Sequence, residues 1–179
     1  MPHLVITGAS AGIGAATAEL FQKHGFDIVN LSRRPCPVAG VTNIACDLSQ
    51  PGFIAAIQND LNHAIKGGKQ ITLIHNAAVL INDNIASTDS EQLRRVFEIN
   101  IVAANTLNQF MIPHMQASSS ILYVGSTLGE KAVPNSFSYA TSKHAVIGMM
   151  RATCQDLAGT GVHTACINPG FTNTEMLRE

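Results

Sequence analysis

The stretch HLVITGASAGIG, residues 3–14, decides the fold. A strand-like apolar run leads into Gly8, Gly12 and Gly14, and a helical pattern then extends to about residue 24. Glycine in such a turn lets the main chain come close to a ligand, and the following helix N-terminus offers unpaired N–H groups to a pyrophosphate. A purely structural tight turn is the alternative. No G-K-[ST] follows, which disfavours a P-loop NTPase.

The rest of the chain continues the alternation of short apolar runs and helical segments. Further strands are predicted at about 26–32, 41–47, 70–76, 119–126 and 161–170, and further helices at about 51–66, 90–115 and 137–158. We expect the helix over 90–115 to bend near Asn100 or to end near Pro113. Strands that alternate with helices pair in parallel through right-handed crossovers. The pattern therefore predicts an α/β fold with a doubly wound, Rossmann-type parallel sheet of six strands, in a single domain over 1–179.

Composition narrows the class of protein. The 179 residues are 46% apolar and 13% charged, which suits one domain with a full core and argues against disorder. A net charge of -1 offers no strong field to nucleic acid or an anionic membrane. The apolar runs are too short for a bilayer span, no signal peptide is evident, and the four cysteines are not spaced as a metal clip or redox pair. We predict a cytoplasmic protein with a small-molecule substrate, without a metal, nucleic-acid or membrane partner.

Small or polar segments follow five of the predicted strands. They read TGASAGIG, SRR, HNAA, GST and NPG. In doubly wound sheets, ligands bind beyond the carboxyl ends of the strands. We therefore expect these five segments to open onto one rim.

Three motifs together are similar to those of the short-chain dehydrogenase/reductase family. They are T-G-x-x-x-G-I-G over 7–14, Y-x-x-x-K at Tyr139 and Lys143, and N-P-G over 168–170. They occur in the family's order, and the match covers nearly the whole chain. The resemblance implies a Rossmann-type sheet that binds NAD or NADP, and an oxidoreductase whose catalytic residues are Asn100, Ser126, Tyr139 and Lys143.

The end of the second strand bears on the choice of cofactor. It reads NLSRRP, and Ser32 stands where NAD-preferring relatives carry an acid. An acid would repel a 2′-phosphate, whereas a guanidinium binds it through forked, charge-assisted hydrogen bonds. We predict NADP(H), with Arg33 as the main contact and Arg34 in support, and NAD(H) as the weaker alternative. Two solvated surface arginines are the other interpretation.

The resemblance implies further cofactor contacts around the rim. These residues are Gly8, Ser10, Gly12, Ile13, Gly14, Asp47, Leu48, Asn76, Ala77, Ala78, Pro169, Gly170, Thr172 and Thr174, together with Asn100, Tyr139 and Lys143. Asp47 resembles the family aspartate that binds the adenine amino group, with a helix or turn cap as the alternative. HNAA departs from the family's N-N-A-G at His75 and Ala78, and we expect His75 to be structural.

Tyr139 and Lys143 lie on one face of a predicted helix. A free tyrosine has a pKa of about 10, and a nearby ammonium favours the phenolate, so the pair becomes a usable acid or base. Alone, the pair is more typical of an ordinary helix surface than of a catalytic site. By resemblance, Ser126 holds the substrate oxygen, with Thr127 as the neighbouring alternative. Asn100 loosens its helix and holds a water that connects to Lys143.

The predicted activity is NADPH-dependent reduction of a ketone or aldehyde, or the reverse oxidation. A non-catalytic NADP-binding sensor or interaction module is the alternative, and epimerisation or dehydration on the same fold is a third. The expected substrate-lining residues are Ser126, Leu128, Val133, Asn135 and Phe137. By resemblance we expect a homodimer or homotetramer that pairs the long helices. The stretch HAVIGMMRATC, residues 144–154, is either such a face or the core face.

Family members usually continue beyond the point that corresponds to Glu179, with a segment that covers the substrate and a seventh strand. We therefore expect both to follow residue 179. A disordered or unrecorded tail, a truncated chain and a naturally short protein are the competing explanations.

Overall fold

Six parallel strands form one sheet in the computed structural model, which describes residues 1–68 and 70–175. The strand order is β3-β2-β1-β4-β5-β6. The strands are β1 (His3–Thr7), β2 (Asp27–Ser32), β3 (Thr42–Ala45), β4 (Ile71–His75), β5 (Ser120–Val124) and β6 (His163–Ile167). The order reverses between β1 and β4, the position at which such sheets bind ligands. The predicted fold class is confirmed, and residues 176–179 of the predicted domain lie outside the described residues.

Helices connect the strands. They are α1 (Gly12–Lys23), α2 (Phe53–Ala64), α3 (Ser90–Phe97), α4 (Ala103–Met111) and α5 (Phe137–Asp156). A π-helical segment, Glu98–Val102, separates α3 from α4, and a 3-10 turn, Ile112–His114, follows α4 at Pro113. Both expected interruptions of the long helix are therefore present. None of the helices in the described ranges has the length and hydropathy that a membrane span needs.

Apolar side chains cover both faces of the sheet. Leu4 and Ile6 of β1 face a cluster with Ala18 of α1. Val5, between them in sequence, joins the larger cluster that includes Leu61 of α2 and residues of α4 and α5. Because successive strand residues point to opposite faces, β1 is buried on both sides, as its unbroken apolar run predicts. This core fixes the strand ends that carry the candidate site.

Candidate active site

The turn after β1 fits an anionic ligand. Gly8 and Gly12 have φ of +72° and +54°, and a Cβ on Gly14 would lie 2.4 Å from the Gly8 carbonyl oxygen. Ala11 at the N-cap of α1 makes no side-chain capping bond, and the first turn carries no acid. Main-chain N–H groups and the positive end of the helix dipole are thus offered to a phosphate.

Neighbouring strands hold this turn in place. Asn76 Nδ2 donates to the carbonyl oxygens of Thr7 (3.1 Å) and Gly8 (2.9 Å). Thr7 Oγ1 accepts from the main-chain N–H groups of Asn76 and Ala77, each at 3.0 Å. Asn30 Oδ1 accepts from Ala9 N at 3.0 Å. The sequence interpretation missed Asn30, although a single amide inside the apolar run of β2 was the available signal.

The loop after β6 approaches the glycine turn. A Cβ on Gly12 would lie 3.1 Å from Thr174 Cγ2, so these two predicted cofactor contacts are neighbours. Thr127 N donates to Pro169 O at 3.1 Å, which ties the loop to the end of β5. Thr172 Oγ1 donates to Gly170 O at 3.2 Å within the loop. The expected convergence of the first, fifth and sixth strand ends is present.

The two arginines after β2 are exposed but differ in their surroundings. Arg34 Nη2 lies 3.1 Å from Glu175 Oε2. Asp47 Oδ1 accepts from Ser49 N at 3.0 Å and from Ser49 Oγ at 2.8 Å, and these bonds lower the pKa of Asp47, as does the charge of Arg33. Asp47 therefore caps a turn, as the alternative interpretation expected, and its contact with adenine stays a prediction. The Leu48 side chain is buried in the core.

Asn100 links three parts of the site. It is buried in the π-helical segment, where its Oδ1 accepts from Val79 N at 2.8 Å. Its Nδ2 donates to Val79 O at 3.1 Å and to Ser142 Oγ on α5 at 2.9 Å. The helix is interrupted where the amide is expected to loosen it, and the amide connects the end of β4 with α5.

Tyr139, Lys143 and Ser126 come together between α5 and the end of β5. Tyr139 and Lys143 are both buried, and Lys143 Nζ lies 5.5 Å from the Tyr139 ring centroid. Lys143 Nζ donates to Val124 O at 2.7 Å. Ser126 follows β5, accepts from Leu128 N at 3.1 Å, and lies beside the Tyr139 side chain. The structure thus gathers the predicted catalytic residues.

The direction of the Tyr139 pKa differs from the expectation. Burial raises the pKa of Tyr139 above its ordinary value, and the hydrogen bond with Ser126 offsets this only in part. Burial also lowers the pKa of Lys143 to about 8. The prediction that Lys143 lowers the pKa of Tyr139 was wrong for this structure, because burial of the phenol dominates and the Lys143 ammonium is hydrogen-bonded to the Val124 carbonyl. Tyr139 is consequently a protonated phenol at neutral pH.

The expected substrate-lining residues separate into two groups. Leu128 packs against Tyr139 and Ala140 beside Ser126. Val133, Asn135 and Phe137 instead line an open groove of about 440 Å³, whose lining includes none of the predicted catalytic residues. The two groups are separated because they lie at different faces of α5. The groove is lined by the helix face that carries Thr141 and His144, whereas Tyr139 and Lys143 are buried on another face.

A small cavity lies beneath the site. It measures about 10 Å³, which is roughly the space of one water. Asn100, Lys143, His75 and Tyr123 are among its lining residues. Such a cavity is consistent with the water expected near Asn100 and Lys143.

His75 belongs to a buried hydrogen-bond chain. Its Nε2 lies 2.7 Å from Asn108 Oδ1, and Asn108 Nδ2 donates to the Tyr123 hydroxyl at 2.7 Å. Tyr123 lies 3.0 Å from Thr153 Oγ1, which itself donates to Met149 O. Burial lowers the pKa of His75 to about 4, so the imidazole is neutral. This chain supports the prediction of a structural histidine.

Comparisons with known proteins agree with this geometry. The family profile for short chain dehydrogenase matches residues 2–179. Short chain aldehyde dehydrogenase 1 of Euphorbia lathyris is 32% identical over 97% of this chain, which spans 64% of that relative, less than two thirds of its length. Thermoplasma acidophilum aldohexose dehydrogenase (AldT) superposes with a TM-score of 0.90 at 29% identity, over 99% of this chain and 69% of that one.

A further solved structure bears on the cofactor. It is an oxidoreductase of the short chain dehydrogenase/reductase family from Brucella ovis, in complex with a partially ordered NAD. The TM-score is 0.84 and the identity 28%, over 94% of this chain and 82% of that chain.

Proposed function

The chain belongs to the short-chain dehydrogenase family, and on that premise we propose that it is an NADP(H)-dependent oxidoreductase that interconverts a ketone or aldehyde and an alcohol. The observation that carries the proposal is the buried, protonated Tyr139 hydroxyl beside Ser126. It offers a proton at a place where the substrate oxygen would be held.

The residues around the glycine turn fit a nicotinamide dinucleotide. Gly8, Gly12 and Gly14, with Ser10 and Ile13, would hold the pyrophosphate at the start of α1, because main-chain N–H groups are available there and no acid opposes the charge. The other rim residues would hold the remainder of the cofactor: Asp47, Leu48, Asn76, Ala77, Ala78, Pro169, Gly170, Thr172 and Thr174. The nicotinamide, when bound, supplies or accepts the hydride.

The chain's own residues would handle the proton. In reduction, Tyr139 donates its phenolic proton to the carbonyl oxygen as the carbon gains the hydride, and Ser126 holds that oxygen through its hydroxyl. Lys143 would hold the nicotinamide ribose hydroxyls, and solvent would return the proton to the resulting phenolate past Asn100. In oxidation each transfer reverses. At neutral pH the phenol of Tyr139 is protonated, so the proton that reduction needs is present on the side chain.

Tyr139→Phe tests the reaction class. We expect turnover of a carbonyl substrate, found by screening aldehydes, ketones and diketones with NADPH, to fall by about 10²- to 10⁴-fold while NADPH still binds. Tyr123→Phe is the control, because Tyr123 is the only other tyrosine and its hydroxyl contacts Asn108 and Thr153 instead. Wild-type turnover by Tyr139→Phe would refute the acid–base role. NADPH binding with no turnover across the panel would favour the sensor alternative.

The preference for NADP(H) rests on the end of β2. The last residue of β2 is Ser32 and not an acid, and Arg33 is exposed beside the turn that Asp47 caps. We expect Arg33→Ala to lower kcat/KM with NADPH by about 10- to 100-fold, the cost of a lost hydrogen bond to a charged group, and to leave kcat/KM with NADH nearly unchanged. NAD(H) is the second candidate because the Brucella ovis structure holds NAD. An NADH preference in the wild-type protein would establish it.

A further inference from the structure

Asp83 is a buried acid in the connection between β4 and α3, with only 3% of its surface exposed. Its Oδ1 accepts from the main-chain N–H of Ser138 at 3.0 Å, and its Oδ2 accepts from Gln92 Nε2 at 3.1 Å. Burial alone would raise the pKa of Asp83, but the hydrogen bonds from Ser138 and Gln92 contribute to a net lowering. The carboxylate is therefore charged, and each of its oxygens has a donor.

The main chain of Asp83 strengthens the same attachment. Asp83 N donates to Asn135 O at 3.1 Å, and Asp83 O accepts from Phe137 N at 3.1 Å. An isolated parallel bridge pairs Asp83 with Ser136. Together with the bond to Ser138, these contacts fix the segment that enters α5.

The start of α5 has no capping side chain of its own. Ser136, at the N-cap, makes no capping bond, and its hydroxyl donates to Val133 O at 2.7 Å instead. Asp83 takes this role from 55 positions upstream, since its carboxylate accepts a first-turn N–H near the positive end of the helix dipole. The residue that follows the bonded Ser138 is Tyr139.

The second oxygen of Asp83 reaches the other half of the site. Gln92 belongs to α3, which runs directly into the π-helical segment that holds Asn100. We propose that Asp83 is a positioning residue, whose carboxylate holds the first turn of α5 against α3 and so fixes Tyr139 relative to Asn100. This inference rests on the proposed role of Tyr139 as the proton donor.

Asp83→Ala, with Asp89→Ala as a matched control, tests the inference by kinetics. Asp89 is an exposed acid that caps α3 by accepting from Gln92 N at 2.7 Å. Its replacement therefore also removes a carboxylate that accepts a main-chain N–H at the start of a helix. We expect Asp83→Ala to lower kcat by about 10-fold or more with the KM for NADPH nearly unchanged, because small misplacements of a reacting group are costly. Asp89→Ala should keep kcat within about twofold while losing comparable stability.

Two more variants separate positioning from folding. Asp83→Asn should restore most of kcat, since its amide oxygen still accepts from Ser138 N and the Gln92 amide can rotate to accept from its NH₂. Gln92→Ala removes only the link to α3 and should lower kcat without unfolding α5, which keeps the test available if Asp83→Ala does not fold. Equal kcat per folded molecule in Asp83→Ala, Gln92→Ala and wild type would overturn the inference.

A readout without substrate separates this inference from the proposed function. The chain has two tyrosines and no tryptophan, so the phenolate absorbance of each protein minus that of its Tyr139→Phe version reports Tyr139 alone. Asp83→Ala should bring the raised pKa of Tyr139 back toward the ordinary value, because a loosened first turn admits water, whereas Asp89→Ala should not. If the titration moves but no carbonyl compound is reduced, only the proposed function fails. If the enzyme is active and Asp83→Ala matches the wild type in both the Tyr139 titration and kcat, the positioning role is refuted.

Discussion

At the scale of single residues, the buried Lys143 makes stability depend on pH. Burial lowers its pKa to about 8 in the folded protein, against an ordinary value near 10.4 in the unfolded chain. Between these values the unfolded chain binds more protons, so stability rises with pH. The cost of the buried charge is present in full below pH 8 and is relieved as pH rises toward 10.

Replacing this lysine should remove the dependence. Relative to Lys143→Met, the free energy of unfolding of the wild type should rise by about 2–3 kcal/mol from pH 7 to pH 10, measured by urea denaturation. Lys66→Met, which changes an exposed lysine after α2, should leave a curve parallel to that of the wild type. Parallel curves for wild type and Lys143→Met would show that the Lys143 pKa is not depressed.

The same residues show what the sequence could predict. Motif spacing located Asn100, Tyr139 and Lys143 because local helices and strand ends carry them to one rim. The direction of the Tyr139 pKa could not be predicted from the sequence, since it depends on how deeply the folded chain buries the phenol. The capping of α5 by Asp83 could not be predicted from the sequence either, because Ser138, whose N–H it accepts, lies 55 positions away.

At the scale of elements, the turn between β1 and α1 depends on the absence of a side chain at Gly14. A Cβ there would lie 2.4 Å from Gly8 O and 2.5 Å from Asn76 Nδ2. Gly14→Ala should therefore shift the turn, destabilise the protein by about 1–3 kcal/mol and weaken NADPH binding. Thermal unfolding and NADPH titration measure both effects.

Gly148→Ala is the matched control within α5. A Cβ at this position meets nothing within 4 Å, and alanine is favoured over glycine in a helix by about 0.8–1 kcal/mol. The variant should be slightly more stable and bind NADPH as the wild type does. If Gly14→Ala behaved in the same way, the close packing of the turn would not be what the cofactor site requires.

At the scale of the whole molecule, the stretch 144–154 serves mainly the core. Val146 and Ile147 are buried, and Met149 and Met150 pack against the large cluster. The exposed residues of this stretch are His144, Gly148, Arg151, Ala152 and Cys154, of which Gly148 and Ala152 are small and lie one helical turn apart. Of the two interpretations of this stretch, the core face accounts for its apolar residues. Gly148 and Ala152 still permit close approach of a second helix, so we keep a homodimer or homotetramer as the proposal.

Ala152→Arg tests this assembly. If copies of the chain pair through α5, the interface would have to bury the charged arginine side chain, which is costly. The assembly should therefore shift toward monomer in sedimentation velocity. Ala56→Arg makes the same change at an exposed position of α2, away from the expected contact, and should leave the distribution unchanged. A wild-type protein that sediments as a monomer across the concentration range would refute the oligomer. Equal distributions for an oligomeric wild type and Ala152→Arg would place the interface elsewhere.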